Sequence, residues 1–304
     1  MKSHKGFFAS WGLAVSVLVC AGFVCPAVCR ADPINLGQAG DLTIFGFNGS
    51  TVSFTNPQTQ VSGPPGTTPN MGIGPNSSLN ASDGVISGTL FVDPTAAKIN
   101  QGNLQVLGGV VTRNLSGAVS DLVSLSSTSA ALTPTQTFST LTGGETITGN
   151  GGKNVISVGS ITLNGSSTLT LSGKPSDTFI VNVSGKLALT GTSSIQLNGV
   201  APNNVLFNVT GSGQDVAFTG KSQGNGLFLA PNRAVSVTGA TVDGGIFAGG
   251  NIAIVSGAKI ISGVPEPSSM VLAALGSVFC VGAVGRNWLK RKSFPCRLFD
   301  FLAV

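Results

Sequence analysis

From Asn154 onward the chain alternates apolar and polar residues in short runs, such as Ile161-Thr-Leu163, Thr168-Leu-Thr-Leu171, Lys186-Leu-Ala-Leu189 and Ser194-Ile-Gln-Leu197, each closed by Gly, Asn or Ser-Gly. A period of two sends successive side chains to opposite faces of an extended strand, and Gly and Asn supply the backbone freedom that tight turns need. The pattern therefore predicts strands of about four to six residues joined by short turns.

These runs recur in register. Thr178-Phe-Ile-Val-Asn-Val-Ser-Gly185, Asn204-Val-Leu-Phe-Asn-Val-Thr-Gly211, Gly226-Leu-Phe-Leu-Ala230 and Gly245-Ile-Phe-Ala248 align on Val181, Phe207, Phe228 and Phe247. A second column follows: Lys186-Leu-Ala-Leu-Thr-Gly191, Asp215-Val-Ala-Phe-Thr-Gly220, Ala234-Val-Ser-Val-Thr-Gly239 and Asn251-Ile-Ala-Ile-Val255. The steps are 26, 21 and 19 residues in the first column and 29, 19 and 17 in the second, so one coil of a solenoid takes about 20 residues. A lone coil cannot bury its inward Val, Ile, Leu and Phe; stacked coils form a continuous apolar column and pair each strand with the next coil. The expected fold is all-β, a β-solenoid (β-helix). A β-sandwich, which also uses short and evenly spaced strands, is the alternative.

One segment breaks the alternation. Leu115 to Leu132 places Leu115, Val119, Leu122, Val123 and Leu125 at helical spacing, which predicts one amphipathic α-helix lying along the solenoid.

The two ends differ from the body. Lys2 and Lys5 precede a mostly apolar stretch from Trp11 to Val24, and the small residue Ala31, with Cys29 two positions before it, is followed by Asp32-Pro33. This is the order of a cleavable secretory signal covering residues 1–31, with cleavage between Ala31 and Asp32. At the other end Val264-Pro-Glu-Pro-Ser-Ser269 stops the fold, and Met270 to Gly285 runs 16 residues without a charge before Arg286, Lys290, Arg291 and Lys292. Sixteen helical residues span about 24 Å, so residues 270–285 are expected to form a short transmembrane helix. The basic cluster then stays cytoplasmic with residues 293–304 as a tail, and the body, residues 32–263, lies outside.

Charge and cysteine usage support this division. The formal net charge of +5 is concentrated at the ends, leaving eight basic against nine acidic residues from Asp32 to Gly263. No basic stripe remains to neutralise phosphates, which argues against nucleic acid as a partner. Cys20, Cys25, Cys29, Cys280 and Cys296 all fall in the ends, as do His4, Trp11 and Trp288. An exported body without cysteine relies on its core and backbone ladders rather than on disulfides.

The order Pro265-Glu266-Pro267, apolar helix and Arg/Lys cluster resembles the PEP-CTERM sorting signal, here over Val264 to Lys292. The resemblance implies an exosortase-like sorting enzyme as partner and delivery to the cell envelope or surface, anchored by the helix or released after processing. Its sorting-signal residues here are Val264, Pro265, Glu266, Pro267, Arg286, Lys290, Arg291 and Lys292. The extension from Ser293 to Val304 departs from that pattern. The body resembles the ice-binding-like β-solenoids and the choice-of-anchor A family through Met71-Gly-Ile-Gly-Pro-Asn-Ser-Ser78, Ala118-Val-Ser-Asp-Leu122, Asn204-Val-Leu-Phe-Asn-Val209, Leu229-Ala-Pro-Asn232 and Gly245-Ile-Phe-Ala-Gly249.

Candidate chemistry is sparse. A body without His or Cys has no nucleophile-His pair and none of the usual zinc ligands. A carboxylate-pair glycosidase would need two convergent acids, yet Glu145 is the single Glu of the body, and Asp177, Asp215 and Asp243 read as turn residues. The Gly clusters, such as Gly149-Asn-Gly-Gly152, lack the Gly-Lys-Ser/Thr of a phosphate loop. No catalytic residue, cofactor or metal is expected. Ice binding would need a flat face of repeated Thr; Thr168 and Thr170 have outward spacing, but the second-column positions Ala188, Ala217, Ser236 and Ala253 are small rather than threonine. The expected function is a non-enzymatic surface or extracellular-matrix protein of the adhesion or biofilm type. Its alternative is an ice- or polysaccharide-binding module.

Overall fold

The computed structural model describes residues 34–213 and 215–262. The expected leader, sorting signal, transmembrane helix and cytoplasmic tail lie outside the described residues. Among those described, twenty-four strands and one α-helix, Ser116–Ala130, form a three-sided β-solenoid in which every strand pair is parallel. No helix among the described residues is long and apolar enough to cross a membrane.

Each side of the solenoid is a ladder of strands from successive coils. The first ladder runs across ten strands from Val110–Thr112 to Gln136–Leu141. At about 4.8 Å per rung it is about 43 Å long. Its inward row reads Val110, Leu90, Met71, Ile44, Ile246, Phe228, Phe207, Val181, Ile156 and Gln136. Between the two end residues every side chain in that row is fully buried. This row is the column predicted from Val181, Phe207 and Phe228, with one correction. The fourth partner is Ile246, not Phe247, because a shift of one residue moves a side chain to the other face. Phe247 instead joins a second buried cluster, beneath the helix.

The stacking order does not follow the sequence. Strand Leu42–Gly46 pairs on one side with Asn70–Ile73 and on the other with Thr241–Ala248. Thr51–Phe54 likewise meets Ile252–Val255, and Gln60–Ser62 meets Lys259–Ile261. The described chain thus begins in the middle of the stack and builds outward to Val110–Thr112. The helix then carries it back past the stack to Gln136–Leu141 at the far end, and the remaining coils return to close against the first. Fifteen helical residues cover about 22 Å, and the short segments on either side supply the rest of the crossing.

Local chemistry fixes the helix on the first ladder. Ala118 and Leu122 share a buried cluster with Phe45, Phe47, Leu229 and Phe247, and Val119 and Leu125 pack against it. Val123, expected on this apolar stripe, is 43% exposed instead. Two buried serines take the place of a further apolar pair at the foot of the helix. The Ser126 hydroxyl donates to Asn208 Oδ1 at 2.6 Å, and Asn208 Nδ2 donates to the Ser126 carbonyl at 2.9 Å and to Asn182 Oδ1 at 2.8 Å. Asn182 Nδ2 in turn donates to the Ser129 carbonyl at 2.8 Å. At the head, Asp93 from another coil accepts the Leu115 N–H at 2.8 Å and supplies the capping carboxylate that the helix itself lacks.

Candidate binding face

The second ladder carries the most uniform outward surface. It stacks Lys98–Asn100, Ser78–Ala81, Thr51–Phe54, Ile252–Val255, Val235–Thr238, Val216–Thr219, Leu187–Leu189 and the last residues of Lys153–Leu163. Its inward residues, among them Leu79, Val52, Ile252, Val235 and Phe218, are buried. Its central outward row reads Asn100, Asn80, Ser53, Ala253, Ser236, Ala217, Ala188 and Thr162. The alignment of Ala188, Ala217, Ser236 and Ala253 read from the sequence is the observed register. These eight short, uncharged side chains make a file about 34 Å long, because each rung adds about 4.8 Å; the two asparagines at one end are exposed and Ala188 near the other is buried.

Two residues further along the same strands, Thr219 and Thr238 are register partners, and Thr190 follows directly after the strand Leu187–Leu189 at the equivalent point of the sequence. The central positions alone do not reveal this threonine row. Its signal is the Thr-Gly that ends each run, at Thr190-Gly191, Thr219-Gly220 and Thr238-Gly239. The glycines turn the corner to the next side. Gly220 has φ +77°, and a Cβ there would lie 2.8 Å from the Gly191 carbonyl oxygen of the adjacent coil, so both conformation and space exclude a side chain. The rows are further tied by the Asn100 side chain donating to Asn80 Oδ1 at 3.2 Å and by Thr190 donating to Asn164 Oδ1 at 2.9 Å.

The other sides are less suited to an extended contact. The first is covered over its middle by the helix. The third mixes Thr168, Ser194, Gln223, Thr241, Lys259 and Gln60 in one row, with Asp243, Asn225 and Gln196 in the next, and is uneven in length and charge. Thr168 and Thr170 lie on this side, away from the small-residue strip.

Several charged residues of the body serve its architecture. Arg233 is buried and spans successive coils, donating to the carbonyls of Gly185 at 2.6 Å, Ser184 at 2.7 Å and Gly211 at 3.3 Å, and to that of Thr210. Burial lowers its pKa from the ordinary value, and Asp215 pulls in the opposite direction. Asp177 accepts backbone N–H groups from Gly152 at 2.6 Å and Lys174 at 2.7 Å, the role expected of a turn aspartate. Asp243 departs from that reading: it lies inside strand Thr241–Ala248, and burial pushes its carboxyl above the ordinary value. Among the described residues no group of His, Cys, Asp and Glu is arranged to hold a metal ion. Among the described residues a pocket of about 40 Å³ lies between Leu36, Asp41, Leu227 and Gly245, and a more open one of about 250 Å³ lies beside the helix between Asn35, Asp121 and Leu125.

Comparison with known proteins decides the family. The model of an ice-binding-like adhesive domain matches residues 34–257, most of the chain. The chain belongs to that family. Downstream of this adhesive domain, a PEP-CTERM protein-sorting motif matches residues 263–291. Together the adhesive domain and the motif mark an exported cell-surface protein, and the motif implies exosortase processing and association with a membrane. The adhesive domain shares its fold with an ice-binding protein from the Antarctic ascomycete Antarctomyces psychrotrophicus, at 20% identity and TM-score 0.54, covering 77% of this chain and 100% of that one. It is similar also to an ice-binding protein from an Antarctic biological consortium, at 20% identity and TM-score 0.53, over 76% and 92% of the two chains. A third similar structure is an antifreeze ice-binding protein from an Arctic yeast, at 17% identity and TM-score 0.53, over 79% and 97%. No curated protein matches the chain by sequence.

Proposed function

We propose that the chain is a non-enzymatic surface adhesin whose uncovered small-residue side makes weak, repeated contacts with a flat partner in the extracellular matrix. The observation that carries this reading is the contrast between sides built on the same ladders: one is covered over its middle by the helix, and one carries an uncharged file of eight short side chains in register. A rigid file adds many small contacts without reordering side chains, so avidity rather than a deep pocket supplies binding. In this reading a secretory leader ends between Ala31 and Asp32. Pro265-Glu266-Pro267 with Arg286, Lys290, Arg291 and Lys292 presents the chain to an exosortase, with residues 270–285 as the membrane helix.

Cells that display the chain should attach and aggregate, and cells without it should lose that attachment. Equal attachment in both removes the reading. The mass of the mature C-terminus distinguishes an anchored from a processed tail: an intact tail in the membrane argues against cleavage by a sorting enzyme.

Ice is the second reading, favoured by the threonine row beside the strip and by the ice-binding names of the structural neighbours. It predicts thermal hysteresis from the purified protein, abolished by Thr219→Lys. A polysaccharide ligand predicts retention on a glycan matrix instead.

A further inference from the structure

The helix divides the described solenoid into a first half, ending at Thr112, and a second half, beginning at Gln136. Among the described strands three pairs join the halves. Leu42–Gly46 meets Thr241–Ala248 on the first side, Thr51–Phe54 meets Ile252–Val255 on the second, and Gln60–Ser62 meets Lys259–Ile261 on the third. Lumenal residues match along this seam as they do between any two coils: Ile44 with Ile246, Val52 with Ile252, Phe54 with Ile254 and Val61 with Ile260, all buried. Apolar burial and backbone pairing do not distinguish a chain's own second half from that of another copy, so either fits the seam equally well.

The covalent link between the halves is residues 113–135, and its helix lies across the seam like a clasp. At the head the Leu115 N–H is held by Asp93 of the first half, and Asp121 accepts the Gln38 N–H at 2.8 Å. At the foot Ser126 and Ser129 meet Asn208 and Asn182 of the second half. Beyond the helix, Ala131, Thr133, Pro134 and Thr135 are exposed and Leu132 is half-buried. A proline there keeps the helix from continuing, and these five residues reach about 17 Å when extended. The seam also divides the binding file: Asn100, Asn80 and Ser53 belong to the first half, and Ala253, Ser236, Ala217, Ala188 and Thr162 to the second.

We propose that two copies exchange halves across this seam, each first half closing on its partner's second half, with residues 131–135 opened as the hinge. Every strand pair stays parallel and in register, and the interface is the one that already closes the single chain. Each file is then built from three rungs of one copy and five of the other, and two files are tied together, which adds avidity toward a repetitive surface. Closure within one chain competes at an effective concentration in the millimolar range. Exchange is therefore favoured where unclosed chains are crowded, as the membrane association implied by the sorting motif crowds them.

The test uses the full-length chain in detergent with its five cysteines changed to Ser, in two versions, Ser53→Cys and Ala253→Cys. These positions are register partners across the seam and half-buried on the outward side. Neighbouring strands about 4.8 Å apart fall within the Cα range of a disulfide, about 4.4–6.8 Å. Folded together from denaturant at high concentration and oxidised, the two versions should give a mixed dimer at least tenfold more abundant than either chain's dimer with itself. That dimer should fall about tenfold when folding is done at tenfold lower concentration, and at least as much when the chains are mixed only after folding. The double variant Ser53→Cys/Ala253→Cys should close an internal disulfide when folded dilute and give covalent dimer when folded concentrated. A mixed dimer no more abundant than the self-dimers overturns the proposal, as does one that forms equally from chains already folded, which is contact between finished surfaces. Light scattering of the chain without cysteines needs no cross-link: a pure monomer after concentrated folding overturns the proposal too. No ligand is present in any arm, so the outcome stands or falls separately from the adhesive reading.

Discussion

The helix-covered side and the small-residue side use the same parallel ladders and the same inward Val, Ile, Leu and Phe, yet they face different worlds. The difference lies wholly in the outward rows. On the first side that row carries Phe45, Phe247 and Leu229, then Asn208 and Asn182; on the second it carries Ala, Ser and Asn. Large apolar groups on a sheet's outer face must be covered, and the helix covers them. Small ones need no cover and leave the ladder open to a partner. A solenoid thus assigns inside and outside twice, once for the lumen and once for each side.

The sharpest way to break the contrast is to remove the ring that recruits the helix. Phe247→Ala should cost about 3–5 kcal/mol, read as a lower denaturation midpoint and early proteolysis within Ser116–Ala130. Next is the polar clamp at the helix foot. Asn208→Ala leaves the Ser126 hydroxyl and carbonyl and Asn182 without this partner and should cost about 1–3 kcal/mol.

The helix head should respond to pH. Burial raises the Asp93 carboxyl, but hydrogen bonds from the Leu115 N–H and from the Thr95 hydroxyl and N–H outweigh it and hold the pKa below its ordinary value. A depressed carboxylate stabilises the fold above its unfolded value of about pH 4 and loses that contribution as pH falls through the folded value. Asp93→Ala should therefore be about 0.5–2 kcal/mol less stable than wild type at pH 7, with the gap narrowing under acid titration of the melting temperature. The smallest stability effect belongs to the open side. Ser236→Lys should stay within about 0.5 kcal/mol of wild type while reducing surface attachment by more than tenfold. Equal attachment would show that this strip is not the contact.

Legibility divides along the same line. The small-residue file was readable from the sequence because Ala188, Ala217, Ser236 and Ala253 sit inside near-identical strings of equal phase. Phe247 was misplaced because Gly-Ile-Phe-Ala and Gly-Leu-Phe-Leu-Ala look alike, while a one-residue offset exchanges lumen for helix. Val123 was misjudged for a related reason. Its helical spacing is as good as that of Val119, but the buried stripe passes instead through Ser126 and Ser129; the Ser126 hydroxyl is met by Asn208 and the Ser129 carbonyl by Asn182, asparagines some 55 to 80 residues away. The stacking order was not legible at all. Any short alternating strand can pair with any other coil, and what sets Leu42–Gly46 beside Thr241–Ala248 is the closure of the whole stack, which no local string records.

That closure has a consequence in time. Ile44 waits for Ile246, a partner 202 residues downstream, and every ladder has its first-made coil completed by its last-made one. A chain that emerges from its N-terminus holds an unsealed edge through nearly all of its synthesis. The final strand, Lys259–Ile261, docks against Gln60–Ser62 and seals it. Ripening of the fold and appearance of the C-terminal segment are therefore a single event, and a chain truncated anywhere before Lys259 is left with an open seam rather than a shorter solenoid.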